Sequence, residues 1–167
     1  MTDRSASAPF VIALNDPAAA DPTRVGPKAS ALARLAPHHS VPPGFCVTAD
    51  AYRHARDAGG LDERLAQEIG AAFAGLRANE ADAPVAVRSS ALDEDGLDAS
   101  FAGRHETVLG VRTGTGLLDA IVRCWASLDS DDALAYRRER GLPTTGLALP
   151  VLAQRLVPAD VAGVAFS

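Results

Sequence analysis

The chain has 167 residues and a net charge of −5, with 47% hydrophobic and 22% charged residues. This length suits one ordinary domain with its own core, and the composition is typical of a globular protein. The acidic balance excludes general nucleic-acid binding, and no apolar run approaches the roughly 18 residues of a membrane-spanning helix. We therefore expect a cytoplasmic protein that binds neither nucleic acid nor a membrane.

The first half of the chain predicts two strands and three helices. An apolar run at 10–14 is a first strand, and helical spacing of apolar residues from Lys28 to Ala36 predicts a helix that Pro37 ends. A stiff proline-rich turn then leads into a strand that finishes at Val47. Thr48 begins a short helix as its cap. An amphipathic helix over 61–76 follows, with a core-facing stripe of Leu65, Ile69, Phe73 and Leu76.

The second half continues the mixture of strands and helices. Its predicted elements are, in chain order, strands at 85–87 and 107–111, helices around 117–125 and 133–139, and a strand at 147–157. Pro150 in the last strand suits only an edge or a bulge. The carboxylates at 129–132 are typical of a helix N-terminus, and the basic cluster at 137–140 fits the dipole at that helix's other end. This mixture favours an α+β fold over an alternating parallel sheet.

Lys28 is the only lysine among sixteen basic side chains. Gly26-Pro27 predicts a helix start with proline at its first position, so Lys28 lies in the first turn. A cation beside the positive end of a helix dipole makes sense if an anion binds there, and an ammonium is a point charge suited to phosphate. The alternative is compositional drift toward arginine that left one lysine by chance.

A second candidate segment begins at Arg88, which directly follows the predicted buried strand and precedes two serines. Further along, the segment Ser100, Phe101, Ala102 and Gly103 includes small residues and a glycine, which let backbone approach a phosphate closely. An ordinary polar loop is the alternative. The acidic residues at 93–98 lack the spacing of a calcium loop, and the histidines and cysteines lack metal-ligand spacing. The sequence therefore predicts no metal site.

A third candidate is the end of the last long strand, Gln154-Arg155-Leu156-Val157, which meets Pro158. A strand end with an amide side chain, apolar neighbours and free backbone groups can receive an adenine. A plain strand exit is the alternative. Cys46 and Cys124 lack a CxxC partner, so we expect two free, buried thiols.

Eight short segments, each occurring once, follow one another along the chain: Gly26-Pro27-Lys28-Ala29-Ser30-Ala31-Leu32, 41–45, Val87-Arg88-Ser89-Ser90, 99–103, 124–128, 135–137, 154–157 and 163–167. Together they resemble the N-terminal nucleotide-binding domain of the phosphoenolpyruvate synthase and pyruvate phosphate dikinase family, which rifampicin phosphotransferases share. In that family, ATP phosphorylates a histidine on a swivelling domain, and the phosphoryl group then passes to pyruvate or to an antibiotic hydroxyl.

The resemblance implies that residues 1–167 form the first lobe of an ATP-grasp fold, with a mixed sheet and flanking helices. It also implies ATP as the ligand. Lys28 and Arg88 match family residues at the phosphates, Ser100 to Gly103 match the loop over the triphosphate, and Gln154 to Val157 match the strand that lines the adenine. Physical reasoning agrees, because two cations could neutralise charge on a transferring phosphoryl group.

The family's second lobe, with its acidic Mg²⁺ ligands, and its histidine and substrate domains have no counterpart in these 167 residues. Pro27 also replaces the second glycine of the more usual Gly-Gly-Lys. We therefore expect weak ATP binding, no catalytic residue and no activity in the chain alone, with the missing parts on a second polypeptide as one arrangement. Three functions stay open: part of a pyruvate-directed enzyme, part of a rifampicin-directed enzyme, or a non-catalytic binding module.

Overall fold

A computed structural model describes residues 8–78, 80–90 and 106–161. Five strands and several helices form an α+β fold, as predicted. Its elements are β1 (Val11–Ala13), a 3-10 helix (Pro17–Ala20), α1 (Pro22–Leu35), β2 (Gly44–Val47), α2 (Ala49–Ala58), α3 (Glu63–Arg77), β3 (Val85–Ser89), β4 (Thr107–Val111), α4 (Gly114–Leu128), α5 (Asp131–Glu139) and β5 (Val151–Arg155).

The described strands form one sheet in the order β1-β2-β5-β3-β4, so β5, the last of them in the sequence, lies at the centre. Every described pair of neighbouring strands is antiparallel. The expectation of a mixed sheet is therefore wrong for the described residues. Sequence periodicity carries no direction, because a strand reads the same whether its neighbour runs parallel or antiparallel to it.

The largest differences from the predicted strand boundaries are in β5 and β3. β5 begins after Pro150, so the strand predicted at 147–157 is shorter, and the proline that suited only an edge stands just outside a central strand. β3 extends beyond the predicted 85–87 to Ser89, because it pairs with both β4 and β5. Arg88 consequently lies inside the strand rather than after it.

Side-chain caps begin the helices where the sequence signals them. Thr48 caps α2, Asp62 caps α3 and Ser130 caps α5, each accepting a backbone N–H from the first turn. The Thr48 cap and the acidic start of α5 were both predicted. None of the described helices has the length and apolar character needed to cross a membrane.

One face of the sheet, which we call the closed face, is covered by α2, α3 and α4. Alternate strand residues point into it, including Phe45, Val87 and Ala153, which are direct cross-strand partners. The helices contribute their apolar stripes, with Leu65, Ile69 and Phe73 from α3 and Leu117, Ala120, Ile121, Cys124, Trp125 and Leu128 from α4. This is the main hydrophobic core.

The opposite face, which we call the α1 face, has a smaller core. Its buried residues come from three strands, the 3-10 helix and α1: Ile12, Leu14, Ala19, Val25, Ala29, Cys46 and Leu152. Cross-strand pairing forms a row of Ile12, Cys46, Leu152, Arg88 and Thr107 on this face. The apolar part of the row ends at Leu152, and both Arg88 and Thr107 are exposed.

Candidate functional site

The site begins at a break in α1. Gly26 has φ +78° and ψ 165°, a conformation essentially reserved for glycine, so the helix stops there and resumes at Pro27. Proline suits the first position of the resumed helix because its missing N–H would have had no helical partner. Lys28 is thus the second residue of a helix that runs to Leu35, and it is exposed. The predicted helix start at Gly26-Pro27 is confirmed, whereas the turn at 22–25 was missed.

The break in α1 is packed directly against the end of β3. A Cβ added to Gly26 would lie 1.9 Å from the backbone oxygen of Ser90 and 2.3 Å from its Oγ. The backbone N–H of Ala29 donates to the same Oγ at 3.4 Å. Ser90 has no exposed surface. The segment carrying Lys28 and the strand carrying Arg88 therefore meet at one backbone contact.

Both cations belong to elements on the α1 face. Side chains alternate along a strand, so Arg88 and Ser90 point to the same side of the sheet as Leu152, against which α1 packs. Arg88 lies two positions before the residue that touches Gly26. That the two charged ends share one cleft stays a prediction, and this topology agrees with it.

The end of β3 is hydrogen-bonded to the chain segments on both sides of it. The Ser90 N–H donates to the Pro150 carbonyl at 2.8 Å, and the Ser89 N–H donates to the Glu106 carbonyl at 3.4 Å. Nearby, the Trp125 indole N–H donates to the Leu149 carbonyl at 3.0 Å. A strand end anchored to both neighbouring chain segments gives Arg88 a firmly placed backbone.

Gln154 and Arg155 point to opposite faces of the sheet. Gln154 pairs with Gly44 and Ala86, which puts it on the α1 face, and its Nε2 donates to the Pro42 carbonyl at 2.9 Å. The Arg155 guanidinium donates to Glu80 at 2.7 Å and to the Leu76 carbonyl at 3.0 Å, beneath α3. Of this pair, the structure brings only the Gln154 side chain to the face of Arg88. Beyond the strand, Leu156 is half-buried and Val157 is exposed.

The predicted phosphate loop at Ser100, Phe101, Ala102 and Gly103 lies outside the described residues. Within residues 8–78, 80–90 and 106–161, no group of three His, Cys, Asp or Glu side chains could hold a metal ion. The two thiols are free and buried, as predicted. Burial raises the pKa of both Cys46 and Cys124 to about 12, so neither supplies a nucleophilic thiolate at neutral pH.

Sequence reasoning missed two features. In the sequence Ser90 is only one of two serines after Arg88, and its contact with Gly26 has no signal in a single sequence. The helix dipole accounts for a basic residue at Arg137 but not for its burial: it is only 1% exposed, and its Nη1 donates to the Pro143 carbonyl at 3.1 Å. Its position four residues after Ala133 and three after Leu134, both half-buried, was an available signal for burial.

Comparison with known proteins gives a consistent result. The family model described as the pyruvate phosphate dikinase AMP/ATP-binding domain matches residues 59–167. The chain is 34% identical to phosphoenolpyruvate synthase of Escherichia coli and 34% identical to the prodigiosin synthesizing transferase PigC of Serratia marcescens. It is 32% identical to rifampicin phosphotransferase of a Streptomyces species.

These alignments cover 96%, 95% and 95% of this chain, in the same order. The chain in turn spans only 26%, 20% and 22% of the length of those relatives.

Proposed function

The chain belongs to the family of pyruvate phosphate dikinase AMP/ATP-binding domains, and on that premise we propose that it is the ATP-binding portion of a phosphotransferase resembling phosphoenolpyruvate synthase. The proposal assigns ATP to the α1 face, at the meeting point of α1 and β3. It also takes residues 1–167 as the first lobe of an ATP-grasp fold.

The observation that carries this proposal is the contact between Gly26 and Ser90. It joins the start of a helix to the end of a central strand, with one exposed cation close to the contact on each element. Helix N-termini favour anions, and two cations at that point add charge-assisted hydrogen bonds to phosphate oxygens. Their charge would also oppose the negative charge on a phosphoryl group in transfer.

The remaining contacts to ATP follow from the same assignment. Lys28 and Arg88 would bind the phosphates, and Ser100 to Gly103 would close over them. Gln154 to Val157 would line the adenine, with Arg155 contributing main chain because its guanidinium is bound to Glu80 and Leu76. These roles stay predictions.

Magnesium ions and the phosphoryl acceptor would depend on other parts of the enzyme. On the family resemblance, we assign the Mg²⁺ ligands to a second lobe. The histidine domain and the acceptor site would correspond to the larger share of the relatives that this chain does not span. They would lie on the same polypeptide or on a second one.

Calorimetric titration of the chain with ATP tests the proposal. Lys28→Met and Arg88→Met should each weaken ATP binding about tenfold or more, because each removes a charged hydrogen-bond donor. Arg53→Met is the charge-matched control, because Arg53 pairs with Asp50 on α2, a helix that covers the closed face on the other side of the sheet. The proposal fails if ATP does not bind at millimolar concentration, or if all three variants bind it equally well.

A rifampicin-directed enzyme is the second candidate, favoured by the 32% identity to rifampicin phosphotransferase over 95% of this chain. The residues assigned to ATP are the same for both candidates, so the titration does not separate them. Assaying an assembled enzyme with pyruvate and with rifampicin as competing acceptors does. A chain that binds ATP but supports neither transfer would favour a non-catalytic binding module.

A further inference from the structure

We propose that Ser90 is a positioning residue, which sets the place of the Lys28 ammonium relative to Arg88 through the contact with Gly26 and Ala29. This inference rests on the proposed function, because it concerns how the assigned phosphate ligands are held. It adds a residue that binds no nucleotide itself. Its effect on ATP would pass through Lys28.

The first argument is the closeness of the contact. With 1.9 Å between a Gly26 Cβ and the Ser90 backbone oxygen, no side chain fits between the two segments. The left-handed φ of +78° requires glycine independently of the space. The break in α1 therefore rests on the main chain of β3's end, where only a small shift is possible.

The second argument is the hydrogen bond from Ala29 N–H to Ser90 Oγ. The first N–H groups of a helix have no helical acceptor, and a side-chain oxygen that binds one of them stabilises the helix start. Here the oxygen comes from a strand 61 positions away rather than from a local cap. The helix start is thereby tied to the sheet in angle as well as in position.

The third argument is the support of Ser90 itself. It is fully buried, and its own N–H donates to the Pro150 carbonyl, so it cannot easily follow a displaced helix. Lys28 and Arg88 each lie two positions from one of the two contacting residues. A change at the contact is therefore transmitted over a short length of backbone to Lys28, while the bond to Pro150 keeps the strand that carries Arg88 in place.

Ser89 provides a matched control one position away. Its side chain points to the closed face, and its buried Oγ has no hydrogen-bond partner among the described residues. Ser89→Ala thus removes one serine hydroxyl from the same strand end, as Ser90→Ala does, but at a position that does not contact α1.

The test uses the ¹⁵N-labelled chain titrated with ATP and, separately, with adenosine, followed by amide NMR. Ser90→Ala should weaken ATP binding roughly fivefold, the loss expected from one hydrogen bond, and leave adenosine binding unchanged. Ser89→Ala should leave both unchanged. Gly26→Ala should lose more, but Ser90→Ala is the decisive variant because it adds no bulk and folding is not at risk.

A double-mutant cycle separates positioning from general loosening of the structure. If Ser90 acts through Lys28, the double variant with Lys28→Met should bind ATP no more weakly than Lys28→Met alone. Additive losses, or equal losses for ATP and adenosine, would overturn the inference while the proposed function stands. If Lys28→Met itself has no effect on ATP, the phosphate assignment fails and the inference fails with it.

Discussion

The two faces of the sheet use the same five strands for different purposes. The closed face is covered by three helices and holds most of the buried apolar side chains, with Trp125 packed edge-to-face on Tyr52. The α1 face is covered by one broken helix and ends in the exposed Arg88. Burial of apolar surface is the main source of stability, so the closed face should dominate folding. The α1 face keeps charge accessible, which is what a phosphate ligand requires.

Removing a large closed-face side chain should give the largest effect. Leu117 on α4 is fully buried, and Leu117→Ala should lower the free energy of unfolding by about 4 kcal/mol through lost burial and a cavity. Urea unfolding measures this, and ATP affinity should not change. Val122→Ala on the same helix is the control, since Val122 is exposed and its truncation should cost less than about 0.5 kcal/mol. Equal losses would contradict the contrast between the faces.

The break in α1 should show the next largest effect. Gly26→Ala combines a left-handed φ with a backbone clash and should cost about 3 kcal/mol of unfolding free energy. Gly59 is the matched control, because its φ of +75° is similar but nothing lies within 4 Å of an added Cβ. Gly59→Ala should therefore cost only about 1 kcal/mol of conformational strain. Equal losses of unfolding free energy in the two variants would mean that the backbone at Ser90 moves aside without measurable loss of stability.

Gln154 and Arg155 sharpen the comparison further because adjacent residues serve opposite faces. Arg155→Met removes the bonds to Glu80 and Leu76, and Gln154→Leu removes the bond to Pro42. Each should cost about 1 kcal/mol in urea unfolding. Only Gln154→Leu should also weaken ATP binding in calorimetry. Loss of ATP affinity in Arg155→Met alone would move the adenine contact to the other face.

Acid should weaken both faces slightly through their helix caps. The N–H of Leu65, and then His54, hold the pKa of Asp62 below its ordinary 3.8, and Thr23 does the same for Asp21 at the start of α1. A carboxylate whose pKa is lowered by folding stabilises the fold at pH values above its pKa in the unfolded chain. That contribution is lost as the pH falls through its pKa in the folded chain. The urea concentration at the midpoint of unfolding of the native chain should therefore decrease as the pH is lowered below about 3.8.

Asp62→Asn tests the closed-face cap. The variant should be less stable than the native chain at neutral pH, with a flatter acid profile, because its contribution no longer titrates. Identical profiles for the two proteins would show that Asp62 is not a source of the acid sensitivity.

Local signals in the sequence predicted most of the elements. The stripe of Leu65, Ile69 and Phe73 predicted α3, and the carboxylates at 129–132 predicted the start of α5, because helix periodicity and helix ends involve residues a few positions apart. Gly26-Pro27 predicted the helix start at Pro27 for the same reason. The ordered motifs also identified the family correctly, since their order is written in the chain itself.

Tertiary structure alone decided which of these elements meet. The central place of β5, the antiparallel pairing of every described strand and the opposite faces of Gln154 and Arg155 depend on pairings between distant segments. The contact between Gly26 and Ser90 is of the same kind, because it joins residues far apart in sequence and no local sequence pattern predicts it. The sequence by itself determined the starts, caps and buried stripes of most elements, because these depend on residues a few positions apart, whereas long-range packing decided which cations come to share a face.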